Sequence, residues 1–448
     1  MKFGGTSVAN FEAISRTVSI VESKLSQKPV VVVSALSKVT DLLYRIADQA
    51  SLCNQDEVNN LLGELRTRHI SLARELMADS RAMCEEACAR VNAICDSLDS
   101  FVSAVCSLGE LSDRSKAKII SNGEYLSSTI ICFTMNARGI ATNFVDARKF
   151  MITSEDYLKG EPQTSEIIAR TPEVINEAFN GVSAVITQGF VGATLKGGQT
   201  VLGRGGSDYS ASLIGMAMDA ERIEIWTDVD GVRTADPRVV ANTKSLSKIS
   251  FEEAAEMAHF GAKVLHPLTI EPAVKKNIPI YVLNSMNPAG EGTAILQNEY
   301  IEDGVKSVSF KENITLINIF STRMINTSGF LKRVFEIFSE NKVSVDLIST
   351  SEANISLTVD SSQKMEKVIS ELTEFADVDV HDDKSQVSII GKNIVNLSGL
   401  LRQTMASLQN CKIYMISQGA TYVNISFVVD RSAMKTVVTE VHKLLFEE

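Results

Sequence analysis

Histidine and tryptophan are nearly missing: the 448 residues hold five histidines and one tryptophan. The histidines, His69, His259, His266, His381 and His442, include no pair at zincin spacing, which argues against a histidine relay or a histidine-built metal centre. Cysteine is equally uninformative as a ligand source. The seven residues, Cys53, Cys84, Cys88, Cys95, Cys106, Cys132 and Cys411, form no C-x-x-C pair, so reduced thiols are expected rather than disulfides or zinc. Cys84, Cys88 and Cys95 fall on one side of a helix, as core packing requires. Basic charge is also short. With 44 Lys and Arg against 55 Asp and Glu, the net charge is −11 and the pI near 5.2, which excludes a broad nucleic-acid or anionic-membrane face. No apolar run approaches the roughly 18 residues that a membrane span needs, and "MKFGGTSVANFEAI" has no secretory pattern, so a cytoplasmic protein is expected.

Familiar phosphate-handling motifs are absent too. There is no G-x-x-x-x-G-K-[ST], no H-R-D and no D-F-G, so a chain that moves phosphate must use another scaffold. Proline is missing between Pro29 and Pro162 and again after Pro288, leaving two long stretches without breakers. In the first, Leu61, Leu62, Leu65, Leu72, Leu76 and Met77 recur at helical spacing, with Gly63 and Gly109 as candidate interruptions. Around it lie the short β-branched runs "PVVVVSA" (29–35), "AVITQGF" (184–190), "RIEIWTD" (222–228) and "IPIYVLN" (278–284). Apolar runs alternating with helices predict an α/β domain whose mainly parallel sheet is covered on both faces.

A polar, glycine-containing stretch from about 284 to 311 reads as a boundary region, and beyond it the chain repeats itself. Residues 325–360 pair with 395–430 at a constant offset of 70: Ser328 with Ser398, Gly329 with Gly399, Leu331 with Leu401, Asn354 with Asn424, Asp360 with Asp430. Each copy reads strand, Ser-Gly turn, helix, strand, turn, strand, helix, which predicts two small α/β modules. Their chemistry differs. Copy one has Asp346, Ser351 and Glu352 where copy two has Ile416, Thr421 and Tyr422, so copy one is the better host for an amine-bearing ligand, with solvated loop charge as the alternative.

Four segments could carry chemistry. "KFGGTSV" places Lys2 before Gly4 and Gly5 and a helix-compatible run, which suits phosphate, although such turns are more often structural. "LGRGGSDYSASL" sets Arg204 and Asp208 on either side of a glycine pair. "IWTDVDGVRTADPR" puts Thr227 and Asp228 after a strand, where open parallel sheets bind ligands, or else forms only a turn cluster. "HFGAKVLHP" carries Lys263.

Taken in order, KFGGTSV, VVVSA with Thr40 after it, SNGEYLS, ITQGFVG, LGRGGSDYSA, WTDVDGV-x-TADPR, EEAAEMAHFGAKVLHP and the duplicated unit resemble the aspartate kinases of the amino-acid kinase superfamily, most of all their monofunctional lysine-sensitive branch. The resemblance implies a three-layer α/β/α kinase domain over 1–290, a linker over 291–312, and two ferredoxin-like ACT modules over 313–384 and 385–448. It implies transfer of the ATP γ-phosphoryl group, with Mg²⁺, to the side-chain carboxylate of L-aspartate, the first step toward lysine, threonine and methionine. A carboxylate nucleophile is already ionised at neutral pH, so the scarcity of histidine is no obstacle.

By the same resemblance, Lys2, Asp208 and Lys263 are catalytic, and Ser34, Thr40, Glu124, Arg204 and Ser207 bind substrate, with Arg204 on the α-carboxylate and Glu124 on the ammonium. Lys2, Gly4, Gly5, Thr227, Asp228, Arg238 and Lys263 serve the nucleotide, with no dedicated protein metal site. Met324, Thr327, Phe330, Asp346, Ser351 and Glu352 match the positions of a lysine effector. A homodimer through the ACT modules is expected, with further association to a tetramer left open. The competing reading is a non-catalytic amino-acid sensor with a degenerate kinase domain. Only Met1 precedes Lys2, so the first strand is expected to be nearly missing.

Overall fold

The computed structural model describes residues 1–261, 265, 267–325, 328–419 and 421–447. It divides into two compact units, Met1–Val232 with Val264–Gln297, and Arg233–Lys263 with Asn298–Glu448.

In the first unit seven strands lie side by side in the order Thr142–Val145, Ala184–Gln188, Val30–Val33, Lys2–Phe3, Ile223–Thr227, Ile280–Asn284 and Thr293–Leu296. The first six are parallel and the last antiparallel. All four expected β-branched runs are among them, and their near-continuous burial is what a sheet covered on both faces demands. The strand at the N-terminus exists despite its two residues. Lys2 and Phe3 are held between Val32–Val33 and Ile225–Trp226, and Phe3 stacks on Trp226 with ring centroids 6.0 Å apart. A smaller sheet joins Ile152–Thr153, Val191–Thr194 and Gln199–Val201.

The proline-free stretch is helical: Val39–Ser51, Gln55–Leu76, Arg81–Leu108, Asp113–Ile120 and Asn122–Ala137. Gly109 ends a helix as expected, in a left-handed conformation (φ 65°), but Gly63 sits inside one without interrupting it. A helix tolerates a single glycine when its other apolar positions are buried, as Leu61, Leu62, Leu65 and Leu72 are here. Helix Arg81–Leu108 is long and apolar enough, by length and composition alone, to cross a membrane. Its Ala87, Val91, Cys95, Leu98 and Val102 nevertheless belong to the core of this unit.

The second unit is built on one antiparallel six-stranded sheet in the order Val345–Thr350, Asn354–Asp360, Gly304–Phe320, Asp377–Lys392, Asn424–Asp430, Ile413–Gln418. The two repeats occupy its two halves. Each helix begins just after the expected Ser-Gly turn, at Phe330 and Leu400, with Gly329 (φ 89°) and Gly399 (φ 84°) taking the left-handed backbone that other residues resist.

The two long central strands are shared between the halves. In the first, Asp377–Lys384 lies beside Ile314–Phe320; in the second, Gly304–Lys311 takes the corresponding place beside Gln386–Lys392. The second module therefore draws an edge from before the first, and the stretch 291–312 read as a linker carries strand structure at Thr293–Leu296 and from Gly304 onward. Its serines conceal this in the sequence, because Ser307 and Ser309 are buried with Val308.

Candidate active site

The carboxyl ends of the parallel strands collect most of the expected residues of the first unit, as open parallel sheets do with their ligands. The chain leaves Lys2–Phe3 into Gly4 and Gly5, and the Gly4 N–H donates to the Trp226 carbonyl at 3.3 Å. The Lys2 ammonium forms an ion pair with Asp208 Oδ1 at 2.5 Å, both side chains being mostly buried. Gly4 makes room for it: a Cβ there would stand 3.3 Å from Lys2 Nζ. Gly5 lies as close to the neighbouring loop, since its Cβ would come within 3.1 Å of the Ala35 carbonyl oxygen.

Glu124 sits in the first turn of helix Asn122–Ala137 and is only 3% exposed. Its Oε1 accepts the Ala35 N–H at 3.2 Å, while Oε2 has no hydrogen-bond partner among the described residues. Burial pushes the carboxyl up to about 8, against the opposing pull of the backbone N–H groups of Ala35 and of Glu124 itself. A buried carboxylate with one unsatisfied oxygen is poised to receive a cation. Ser34 follows strand Val30–Val33 directly, and its carbonyl accepts a hydrogen bond from Ser127 Oγ at 2.8 Å, one helical turn beyond Glu124.

The turn 203–205 is built by Gly203 (φ 75°) and Gly205 (φ 72°), and Gly205 precedes helix Gly206–Ala217 without a side-chain cap. Arg204 lies exposed between them, with no ion pair or hydrogen bond among the described residues. Ser207 and Asp208 follow in the first helical turn, whose amides have no intrahelical partner and favour an anion. Gly189 allows this turn to approach the sheet. A Cβ on Gly189 would stand 2.6 Å from Ser207 Cβ, and its own N–H donates to the Val33 carbonyl at 2.9 Å.

Thr40 is half-buried in the first turn of helix Val39–Ser51. Thr227 ends its strand and donates to the exposed Asp228 at 3.2 Å, while Ser285 holds the Thr227 carbonyl through its N–H at 2.8 Å and shares a hydrogen bond with Ser7 Oγ at 2.8 Å. Arg238 belongs to the second unit, where its guanidinium pairs with Asp236. Lys263 lies outside the described residues. Three positions at this site went unrecognised in the sequence: Ser127, Gly189 and Ser285. Ser127 could have been found, standing one turn from Glu124, whereas Ser285 is 278 positions from Ser7 and leaves no local signal.

Of the expected effector positions, Met324 and Phe330 pack against the core of the first repeat, where Phe330 meets Phe375 edge-on at 5.4 Å between ring centroids. Asp346 is committed elsewhere: its Oδ2 pairs with Lys311 Nζ at 2.6 Å, and His259 Nε2 stands 3.9 Å from Oδ1. Ser351 and Glu352 are exposed in the following turn, and among the described residues no hydrogen bond or ion pair joins Asp346 to them. Thr327 lies outside the described residues.

Among the described residues no group of three or more His, Cys, Asp or Glu could hold a metal.

Residues 1–284 match the amino acid kinase family, and residues 317–374 and 387–445 match the ACT domain. The chain is 33% identical over 464 residues to the lysine-sensitive aspartokinase 3 of Escherichia coli, covering 100% of this chain and 98% of that one. It is 34% identical over 463 residues to the chloroplastic aspartokinase 1 of Arabidopsis thaliana, covering 100% of this chain and 80% of that one. Among solved structures it is similar to E. coli aspartokinase III in complex with aspartate and ADP, with a TM-score of 0.87 at 33% identity over 99% of both chains. The same enzyme in complex with lysine and aspartate gives a TM-score of 0.80 at 33% identity, over 99% of this chain and 98% of that one.

Proposed function

The chain belongs to the amino acid kinase family, among the aspartokinases with ACT domains, and on that premise we propose how its own residues perform and regulate the phosphorylation of L-aspartate by ATP. The observation that carries the reading is the buried Glu124 carboxylate with its unpartnered Oε2, beside the loop after strand Val30–Val33. The α-ammonium of aspartate supplies the missing partner. Arg204, without an ion pair among the described residues and set between two left-handed glycines, takes the α-carboxylate in a charge-assisted bond. The two charges of one end of the substrate are thus gripped by opposite charges, leaving the side-chain carboxylate free to react. Ser34, Thr40 and Ser207 supply the remaining hydrogen bonds.

The nucleophile carries its negative charge already, so no proton need be removed, and the site's task is orientation and charge neutralisation. Lys2, fixed by Asp208, holds its ammonium where Gly4 and Gly5 open the backbone to phosphate, and Lys263 is assigned to the same task. Thr227, Asp228 and Arg238 are assigned to the nucleotide. A Mg²⁺ bound to the ATP phosphates would offset part of their charge. The intact Lys2–Asp208 pair favours this reading over a sensor with a degenerate kinase domain.

The catalytic domain is assigned to residues 1–290 and regulation to the ACT modules over 313–384 and 385–448. Met324, Thr327, Phe330, Asp346, Ser351 and Glu352 of the first form the effector site, with L-lysine as effector. The relatives named for lysine sensitivity and for a lysine complex support that choice. The enzyme is read as cytoplasmic and homodimeric through its ACT modules. The test is ADP release from ATP by the purified protein on addition of L-aspartate, with glutamate and acetylglutamate as controls. Release with aspartate alone supports the assignment; equal release with all three, or none, refutes it.

A further inference from the structure

The first unit holds a cleft of about 270 Å³ that none of the residues assigned to substrate or nucleotide lines. Helix Arg81–Leu108 gives it Arg90, Ala93, Ile94, Ser97, Leu98 and Phe101, which recur at i, i+3, i+4, i+7, i+8 and i+11 and so form one stripe. Phe144 of strand Thr142–Val145 adds carbon surface opposite charged and polar groups from Lys118, Tyr125 and Arg148. Helix Asn122–Ala137 serves both places. Glu124 accepts the Ala35 N–H, whereas Tyr125, next in the chain and therefore on another side of the helix, lines the cleft and donates its hydroxyl to Asp146 at 3.0 Å.

The cleft carries an excess of positive charge. Arg148 is neutralised, its Nε standing 3.1 Å and its Nη2 2.6 Å from Asp146 Oδ2. Asp146 Oδ1 is occupied in turn by the Tyr125 hydroxyl and the Arg148 amide, so the one carboxylate among the described residues of the cleft is spent. Arg90 and Lys118 remain, both exposed and neither in an ion pair among the described residues. The Lys118 ammonium lies 4.0 Å from the centroid of the Phe101 ring, which holds it over the apolar stripe. Asp96 and Asp99, acids of the same helix, are drawn to Arg66 at 2.7 and 2.6 Å instead. Two uncompensated cations thus border an apolar wall in a chain whose net charge is −11.

We propose that this cleft binds a small organic anion, a flat apolar body of about one aromatic ring that carries a carboxylate or a phosphate. Arg90 and Lys118 take the head group in charge-assisted bonds. Ile94, Leu98, Phe101 and Phe144 take the body, the aromatic rings offering faces and edges to another ring. Size limits the ligand further: sites for drug-sized molecules run to roughly 300–1,000 Å³, and this cleft falls below that range. Aspartate lacks the apolar body, so this site is distinct from the one proposed for the substrate, and it stands independently of the kinase reading.

Ligand-observed saturation-transfer NMR on the full-length protein tests this. The probes are phenylacetate and phenyl phosphate, with benzyl alcohol as the uncharged control, and L-aspartate and ADP are present to occupy the proposed kinase site. At least one anion should bind at millimolar concentration or below, and the alcohol about tenfold more weakly or not at all; the tighter anion identifies the head group. Arg90→Gln and Lys118→Gln should each weaken the anion about tenfold, the effect of one lost charge-assisted bond. Ser97→Trp, which sets a ring on the exposed part of the same stripe, should abolish binding. All three positions are exposed, so denaturation midpoints should match wild type, and the glutamine variants decide if the tryptophan protein is insoluble. No binding of either anion, binding of the alcohol as tight as that of the anions, or anion affinity unchanged in the variants would each overturn the proposal. Because the readout is binding, failure of the kinase assignment would leave this test intact.

Discussion

If Glu124 receives the substrate ammonium, as proposed, the affinity for aspartate depends on pH in a direction set by the burial of its carboxyl. Its carboxyl is raised from an ordinary 4.5 to about 8, so near neutral pH it is mostly protonated in the free enzyme. Only the ionised form can pair with the substrate ammonium. With a competent fraction of about one tenth at pH 7 and about one hundredth at pH 6, the KM for aspartate should rise about tenfold over that unit and level off above about pH 8. Binding at about pH 7 should release close to one proton, read by calorimetry in two buffers of different ionisation enthalpy. The sign for stability follows from the same shift. A carboxyl whose folded value lies above its unfolded value favours the fold below about 4.5, and that contribution is lost as pH rises through about 8. The free enzyme should therefore lose stability over this window, and aspartate should restore it. Glu124→Gln should abolish the pH dependence and raise the KM throughout. A KM flat between about pH 6 and 8, with no proton released, would refute the assignment of Glu124 to the ammonium.

Other perturbations separate the remaining roles. Arg204→Ala should raise the KM for aspartate with little change in kcat, whereas Lys2→Met should lower kcat; an unchanged aspartate KM in the arginine variant would count against it. Gly189→Ala forces a methyl to 2.6 Å from Ser207 Cβ, so it should cost about 1–3 kcal/mol in chemical denaturation and weaken aspartate binding, and wild-type values for both would contradict the packing described. Glu352→Ala or Asp346→Asn should relieve inhibition by lysine while leaving uninhibited turnover near normal; inhibition equal to wild type in both would remove the first repeat as the effector site.

The local elements were legible because their signals are local. The runs at 29–35, 184–190, 222–228 and 278–284 all became parallel strands, and the offset of 70 between the repeats survives as two halves of one sheet. What the sequence could not disclose depends on pairings between distant residues. Strand Gly304–Lys311 looked like linker because its serines are buried only once Gln386–Lys392 lies beside it. The loop 233–245 reads as part of the first domain, since the side chains that claim Ala235 and Val240 lie some 70 to 200 positions further on. The ion pair that Asp346 makes with Lys311 is likewise invisible locally, because Lys311 stands on another strand, 35 positions earlier. The candidate active site was read mostly through resemblance, and the geometry adds its reasons: the Lys2–Asp208 pair, the glycines that let backbones touch, and the orphaned oxygen of Glu124.

The most direct measurement traps the acyl phosphate as its hydroxamate from ATP and L-aspartate, with and without millimolar L-lysine. Hydroxamate that requires aspartate and falls when lysine is added is the expected result. No hydroxamate with aspartate present would contradict the kinase assignment, and formation indifferent to lysine would contradict the assignment of the first repeat to that effector.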